Sequence, residues 1–302
     1  MQGAAMDREW VVVVGAGLMG TGIAHAFLAG GCDVALMDPD PQALGRAANQ
    51  IGRILDEGVQ RGKMSASDAA AARSGLRPVS SATELGQGAA LVVETAVEDL
   101  AVKQQIVRSL EPLLGEHTVL ATNTSALSIT EIASAARRAQ RVIGMHFFNP
   151  VQKMKLVEIV RGLETDDATL ALARHWCERI GKTHIVVNEA PGFTTSRISA
   201  LLGNEAMTML HEGVASAEDI DTSLRMAFNH PMGPLELGDL TGWDTRLKVL
   251  QYLHQTLGEK FRPCPLIIKM VKAGRTGRKV GRGVYDYDAD GQRIPGSGLR
   301  VR

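Results

Sequence analysis

A doubly wound α/β domain with a mainly parallel sheet, followed by a second, all-helical domain, is the architecture this 302-residue sequence predicts. Three observations carry that expectation. From Trp10 onward, short apolar runs alternate with stretches of helical period. The spacing Gly15-x-Gly17-x-x-Gly20 stands between the first such run and the first such stretch. After Val187 the alternation stops: "NEAPGF" reads as a polar, proline-containing hinge, and nearly everything beyond it has helical spacing.

The opening run "WVVVVGAGLMGTGIAHAFLAGGCDVALMDPD" reads as apolar strand, Gly-rich turn, amphipathic helix, Gly-Gly stop and a second strand ending in an acid. That is a βαβ unit. Helical segments follow from Gln42 to Gly62 and from Ser65 to Ala72. Strands are then expected at "AALVVE", "TVLAT", "RVIGMH", "MKLVEIV" and "THIVVN", with helices at Ala101 to Leu114 and Asp167 to Ile180 separating several of them. Beyond the hinge, Ser196 to His211 carries apolar residues at helical spacing, and Ser216 and Asp219 have the character of helix-start residues. "HPMGPLELGD" is expected to introduce a long helix. The closing "DADGQRIPGSGLRVR" is Gly-rich and charged without period, which predicts a flexible tail. The expected division is therefore 1–188, 189–288 and a tail at 289–302.

Composition narrows the partners. Acidic and basic residues balance at 33 each, so no net field favours nucleic acid or an anionic membrane. Any phosphate must be held locally. Cys32, Cys177 and Cys264 are far apart and have no metal-like spacing, which predicts reduced packing residues of an intracellular protein and no metal site. The first residues, "MQGAAMDREW", carry no export pattern, and no run of about 18 apolar residues occurs. A cytoplasmic location is expected.

In its strand-to-helix context the glycine spacing gains meaning. Gly15 permits the tight turn, Gly17 lets a pyrophosphate approach the backbone, and Gly20 lets helix and strand pack closely; Leu18 and Met19 stand between them at the helix start. The helix N-terminus then faces the anion. Asp38 ends the second strand, where a carboxylate accepts both hydroxyls of an adenosine ribose. A 2′-phosphate would be repelled there, and Pro39 offers no compensating cation, so NAD is favoured over NADP. FAD ranks lower because there is no second Gly-rich nucleotide element. This is a Rossmann-type fingerprint.

Ligands of such sheets sit beyond the carboxyl ends of the strands. Those ends offer Glu98 and Lys103 in "VVETAVEDLAVK", Asn123 and Ser125 in "LATNTSALSIT", and His146 and Asn149 in "GMHFFNP". Singly, each has a structural alternative: a serine capping a helix, an asparagine building a turn before Pro150, a packed histidine. Glu158 separates His146 from the rest. In "KLVEIV" both alternating faces are largely apolar, and a carboxylate there is costly unless paired or hydrogen-bonded. A short excursion through "FFNPVQKM" would return the chain beside the preceding strand and bring Glu158 to the His146 imidazole, orienting the ring and stabilising its protonated form.

Taken together, "GAGLMGTGIA", "ATNTSALSIT", "GMHFFNPVQKMKLVEIV", "APGF" and "HPMGPLELGD" resemble the L-3-hydroxyacyl-CoA dehydrogenases, in particular the single-function bacterial 3-hydroxybutyryl-CoA dehydrogenases. The resemblance runs over roughly residues 9–288 with the motifs in order. It implies an N-terminal NAD-binding domain, a C-terminal helical domain that forms a homodimer, and reversible oxidation of (S)-3-hydroxyacyl-CoA to 3-oxoacyl-CoA. Carried over residue by residue, it implies His146 as catalytic base, Glu158 as its partner and Ser125 near both substrate oxygen and nicotinamide. It further implies NAD contacts at Asp38, Glu98, Lys103 and Asn149, with Lys279 in "GRKVGRGVYDY" as another. Arg53 and Lys63 fall in the region where the family places CoA-contacting cations, although a solvated basic face is the competing reading for each. One position departs: after "PGF" the family has an Asn directly before Arg, and this chain has Ser196, a substrate-site candidate with one hydroxyl where an amide offers more donors. A related dehydrogenase of a free hydroxy acid and a noncatalytic NAD-binding protein remain the alternatives at this point.

Overall fold

The computed structural model describes residues 9–85 and 88–301; the expectation about export rests mainly on residues 1–8, outside them. Two units divide the chain at Ala190 and Pro191. In order, the first contains β1 (Trp10–Val14), α1 (Leu18–Ala29), β2 (Asp33–Met37), α2 (Pro41–Gln60), α3 (Ala66–Ser74), β3 (Leu76–Val79), β4 (Leu91–Glu94) and α4 (Leu100–Leu110). It continues with β5 (Val119–Thr122), α5 (Ile129–Ala133), β6 (Val142–Phe147), β7 (Leu156–Arg161), α6 (Asp167–Arg179) and β8 (Thr183–Asn188).

The sheet order is β3-β2-β1-β4-β5-β6-β7-β8. All pairings are parallel except β6 with β7. Consequently β1 to β6 run one way and β7 and β8 the other, and six strands deliver their carboxyl ends to one edge. Alternation along β1 explains its unbroken apolar sequence: Val11 and Val13 join the core beneath Ile23 and Phe27 of α1, while Val12 and Val14 join a second core with Val79, Leu85 and Leu110. A strand covered on both faces needs no polar alternation.

Two elements were not foreseen. β3 contains Pro78, which cannot donate to a ladder and is tolerated because β3 is the sheet's edge. α5 has only five residues, too few for a helical period; its start is marked by Ser128, whose side chain accepts the Glu131 N–H.

His25, on α1, has a buried Nδ1 with no hydrogen-bond partner among the described residues. Burial, aided by the nearby Lys182 charge, lowers its pKa from 6.5 to about 4. Between those values an unfolded chain binds a proton that the folded chain refuses, so this contribution to stability is present above pH 6.5 and is lost as pH falls towards 4. At pH 5 the loss is expected to reach about 2 kcal/mol at most. Denaturant unfolding at pH 7 and pH 5 checks this: His25→Gln should show a flatter pH dependence, and an identical slope would remove His25 as its source.

The second unit contains α7 (Thr195–His211), α8 (Ala217–Ala227), α9 (Pro234–Thr241), α10 (Trp243–Leu257) and α11 (Pro265–Lys272). Here two expectations are corrected. The long helix after "HPMGP" is two helices, because Gly242 takes φ +92° and breaks α9 from α10. The expected tail is folded: Leu299 N–H donates to Val284 O at 2.8 Å, Gly298 N–H to Glu218 Oε1 at 2.9 Å, and Leu299 and Val301 pack on the helical core. Isolated bridges such as Tyr287 with Arg293, rather than a periodic element, hold it, which is why no period announced it.

Candidate active site

The turn after β1 is shaped by its glycines. Gly15 has φ +101°, and a Cβ on Gly20 would lie 1.8 Å from Gly15 O, so helix and turn approach as closely as the fingerprint requires. Thr95, just past β4, donates its hydroxyl to Val14 O at 2.8 Å and Gly15 O at 3.2 Å and clamps the turn. A Cβ on Gly17 would meet nothing within 4 Å among the described residues, leaving the helix N-terminus open to an anion.

In front of that turn lies a cavity of about 680 Å³, lined by Gly17, Leu18, Asp38, Arg46, Gln50 and Asn149 among others. Asp38 is already oriented: its carboxylate accepts the Ala16 N–H at 2.8 Å and the Asp40 N–H at 2.9 Å. These features fit a dinucleotide, with the open amide end for the pyrophosphate and an acid at the ribose position. Met19 does not line the cavity; it packs partly buried against the core. Of the cations along α2, Arg46 lines the cavity and pairs with Asp40 at 3.3 Å. Arg53 and Lys63 are exposed and lie outside its lining.

The ends of β4 and β5 converge on two acids. Glu94, fully buried, accepts Thr122 Oγ1 at 2.6 Å and Lys103 Nζ at 2.9 and 3.0 Å. Glu98 accepts Thr124 Oγ1 at 2.6 Å, Ser125 N–H at 2.8 Å and Ser125 Oγ at 3.1 Å. Lys103 itself is 0 % exposed, its ammonium enclosed by Glu94 and Ala96 O, so a cofactor contact would have to share it with those partners. The roles of Thr95, Glu94 and Thr122 were missed, although the polar end of "LVVET" was the clue to the first two.

Asn123 acts on the next strand. Its Oδ1 accepts the Phe147 N–H at 2.8 Å and so fixes the chain beside His146. β6 and β7 pair antiparallel with His146 directly opposite Glu158, and Nδ1 lies 2.7 Å from Glu158 Oε2. Phe148 packs against the imidazole with ring centroids 4.5 Å apart. Glu158 is 0 % exposed and His146 only 8 %. A buried carboxylate bound to one ring nitrogen orients the imidazole and sets its tautomer. Ser125 follows the carboxyl end of β5, Asn149 follows that of β6, and His146 is the next-to-last residue of β6.

Family models separate two known domains along this chain: the NAD-binding domain of 3-hydroxyacyl-CoA dehydrogenase matches residues 10–190, and the C-terminal domain of the same enzyme matches 192–287. The chain belongs to the 3-hydroxyacyl-CoA dehydrogenase family. It is an NAD-dependent enzyme of that type, an oxidoreductase of 3-hydroxyacyl-CoA. Among its relatives is a probable 3-hydroxybutyryl-CoA dehydrogenase of Bacillus subtilis, 42 % identical over 94 % of this chain and 99 % of that one. Another is the 3-hydroxybutyryl-CoA dehydrogenase of Clostridioides difficile, 40 % identical over 92 % and 99 %. The crystal structure of (S)-3-hydroxybutyryl-CoA dehydrogenase from Ralstonia eutropha aligns with TM-score 0.89 and 40 % identity, covering 93 % of this chain and all of that one, 100 %.

Two expected site residues of this dehydrogenase lie in the second unit. Ser196 is half-buried on the first turn of α7. Lys279 is held by Asp244, with both carboxylate oxygens 2.7 Å from Nζ, so a cofactor contact would have to share it with that ion pair.

Proposed function

We propose that this enzyme oxidises short-chain (S)-3-hydroxyacyl-CoA, represented by 3-hydroxybutyryl-CoA, reversibly to 3-oxoacyl-CoA, with His146 as general base and Glu158 as its orienting partner. The buried 2.7 Å contact between His146 Nδ1 and Glu158 Oε2 carries this reading. Held there, the ring keeps its proton on Nδ1, and Nε2 accepts the proton of the substrate hydroxyl as C3 loses hydride. NAD supplies the hydride acceptor when bound. Ser125 steadies the reacting oxygen, and the resulting imidazolium is stabilised by Glu158. General-base catalysis of this kind contributes about 10² to 10⁴ in rate. The short-chain assignment is supported by the likeness to 3-hydroxybutyryl-CoA dehydrogenases.

NADH oxidation with acetoacetyl-CoA, compared with free acetoacetate, tests the substrate. Turnover is expected on the thioester and at least about 100-fold less on the acid, since CoA contributes binding energy that the acid lacks. Equal rates would defeat the thioester reading. Arg53 and Lys63 are assigned to the CoA phosphates; neutralising both should raise KM for acetoacetyl-CoA, and an unchanged KM would return them to a solvated face. Ser196 is assigned to the substrate site. Ser196→Asn should change kcat or KM by several-fold, of the order of one hydrogen bond; identical kinetics would take Ser196 out of the site.

The helical unit is assigned to homodimer formation. Ile198, Met226 and Phe228 are 66 %, 80 % and 69 % exposed, an apolar cost that a second copy would relieve. A monomer in sedimentation equilibrium would overturn this. A cytoplasmic location is supported by the three buried free cysteines, the Cys177 thiol being pushed up to about 12 by burial. Recovery in an exported fraction would contradict it. No helix among the described residues is long and apolar enough to cross a membrane.

A further inference from the structure

Because β7 and β8 run against the other six strands, the turn that enters β8 lies at the edge where β1 to β6 deliver their carboxyl ends. Lys182 occupies that turn. Its backbone is fixed there: Gly181 turns the chain at φ +65°, Lys182 N–H donates to Cys177 O at 2.8 Å, and Thr183 N–H donates to Lys155 O at 2.8 Å. From this base the half-buried side chain reaches the loop between β6 and β7, where Nζ donates to Val151 O at 2.5 Å and to Met154 O at 2.6 Å. The loop is also closed on itself, since Lys153 N–H and Met154 N–H both donate to Pro150 O, at 2.9 and 3.0 Å. On its other side it rests on α1: Val151 is 2 % exposed, and a Cβ on Gly22 would lie 2.9 Å from Val151 Cβ. Asn149, Pro150, Val151 and Gln152 line the dinucleotide cavity, whereas Lys182 lies outside its lining.

We propose that Lys182 is a positioning residue of the cofactor site: its ammonium gathers the Val151 and Met154 carbonyls, seats the 149–154 loop on α1, and so holds Asn149 at the dinucleotide cavity. The last step rests on the reading that Asn149 meets NAD. Two carbonyl oxygens drawn to one point repel each other unless a cation stands between them, and a charged donor binds each more strongly than a neutral one would. Without the ammonium both oxygens turn to water, the turn around Pro150 opens, and Val151 loses the pull that keeps it against Gly22. His146 is affected less, because the ladder of β6 and β7 and the Glu158 carboxylate hold it independently. A loop that is seated only a tenth of the time weakens cofactor binding about tenfold, since apparent affinity falls with the competent fraction. Lys182 therefore governs cofactor affinity more than proton transfer.

Lys182→Met in the full-length enzyme keeps most of the side chain's length and removes its donors; the position is only half-buried, so the fold should survive. Hydrogen exchange at the Lys153 and Met154 amides reads the loop directly. It is expected to rise about tenfold or more while the amides of β6 and β7 keep their protection, and parental exchange at 153 and 154 overturns the proposal. NADH titration by fluorescence should give a Kd about tenfold higher, with kcat for acetoacetyl-CoA at saturating NADH within about threefold of the parent. A lowered unfolding midpoint with parental NADH affinity would make Lys182 a residue of stability alone, which also overturns it. Added to Asn149→Ala, Lys182→Met should weaken NADH binding by less than about a further twofold, since both act through one amide side chain. Losses that multiply would make Lys182 independent of Asn149 and overturn the proposal. A flatter salt dependence of NADH binding in Lys182→Met would do the same, by identifying the ammonium as a direct partner of the cofactor phosphates. Parental NADH affinity in Asn149→Ala alone would instead defeat the reading that Asn149 meets NAD, and exchange at 153 and 154 then decides whether Lys182 seats the loop.

Discussion

His146→Gln is expected to lower kcat for acetoacetyl-CoA reduction by about 10²- to 10⁴-fold while NADH affinity stays within about twofold. A glutamine amide fills much of the imidazole's space and can still donate to Glu158, so the strand pair that carries both residues is preserved. It cannot exchange a proton with substrate at neutral pH. Glu158→Gln should cost less, about 10- to 100-fold, because a neutral amide oxygen at the same place still accepts from Nδ1, now 2.7 Å away, and keeps the ring's orientation while losing the charge that stabilises imidazolium. The two replacements together should cost little more than His146→Gln alone, since the acid acts only through the ring. Stopped assays of each variant, beside NADH titration by fluorescence, measure all three. A His146→Gln enzyme retaining more than about a tenth of parental kcat would remove the imidazole from the proton-transfer step.

The His146 and Glu158 pairing was legible in the sequence because two independent constraints meet there. Strand alternation made Glu158 a buried charge, and the short excursion between the two, which stand twelve positions apart, allowed the chain to return alongside itself; the antiparallel register then places them opposite one another. The Gly15 to Gly20 turn was legible for a similar reason, since backbone geometry dictates glycine there and leaves few other solutions. The burial of Lys103 was not legible, because a sequence shows a cation near a strand end without showing how deep it lies. Its two acids, Glu94 at the end of β4 and Glu98 in the loop that follows, lie four residues apart, and only the fold reveals that one faces inward and the other faces Ser125. The closing residues were misjudged from the opposite direction: a Gly-rich segment without period can still be ordered when the rest of the unit supplies its hydrogen-bond partners, here Val284 O for the Leu299 N–H and Glu218 Oε1 for the Gly298 N–H.

Asp239→Ala is expected to destabilise the helical unit by about 3–5 kcal/mol, the range seen when a buried charged acceptor is removed from its donors. Asp239 is 0 % exposed, and burial pushes its carboxyl pKa up. Four donors oppose that push: Trp243 Nε1 at 2.7 Å and Val284 N–H at 2.7 Å on Oδ1, with Tyr285 N–H at 2.8 Å and Tyr287 OH at 3.0 Å on Oδ2. One side chain of α9 thereby ties the start of α10 to residues 284–287. Asp221 of α8 makes a parallel clasp, accepting Leu235 N–H at 2.8 Å, Glu236 N–H at 3.0 Å and Tyr285 OH at 2.8 Å. The surrounding glycines confirm how closely the segment is drawn in, because a Cβ on Gly283 would lie 1.9 Å from Asp239 Oδ1. Alanine leaves all four donors without their acceptor, whereas Asp239→Asn keeps one carbonyl oxygen and sets an amide N–H against donors on the other side, so its loss should be smaller but of the same sign. Urea unfolding followed by tryptophan fluorescence, in which Trp243 reports the clasp itself, measures both. Loss of the clasp also predicts faster proteolysis of residues 284–301, which the intact carboxylate keeps folded on the unit; an unchanged unfolding midpoint in Asp239→Ala would mean that the apolar contacts of Leu299 and Val301 suffice to hold the segment without it.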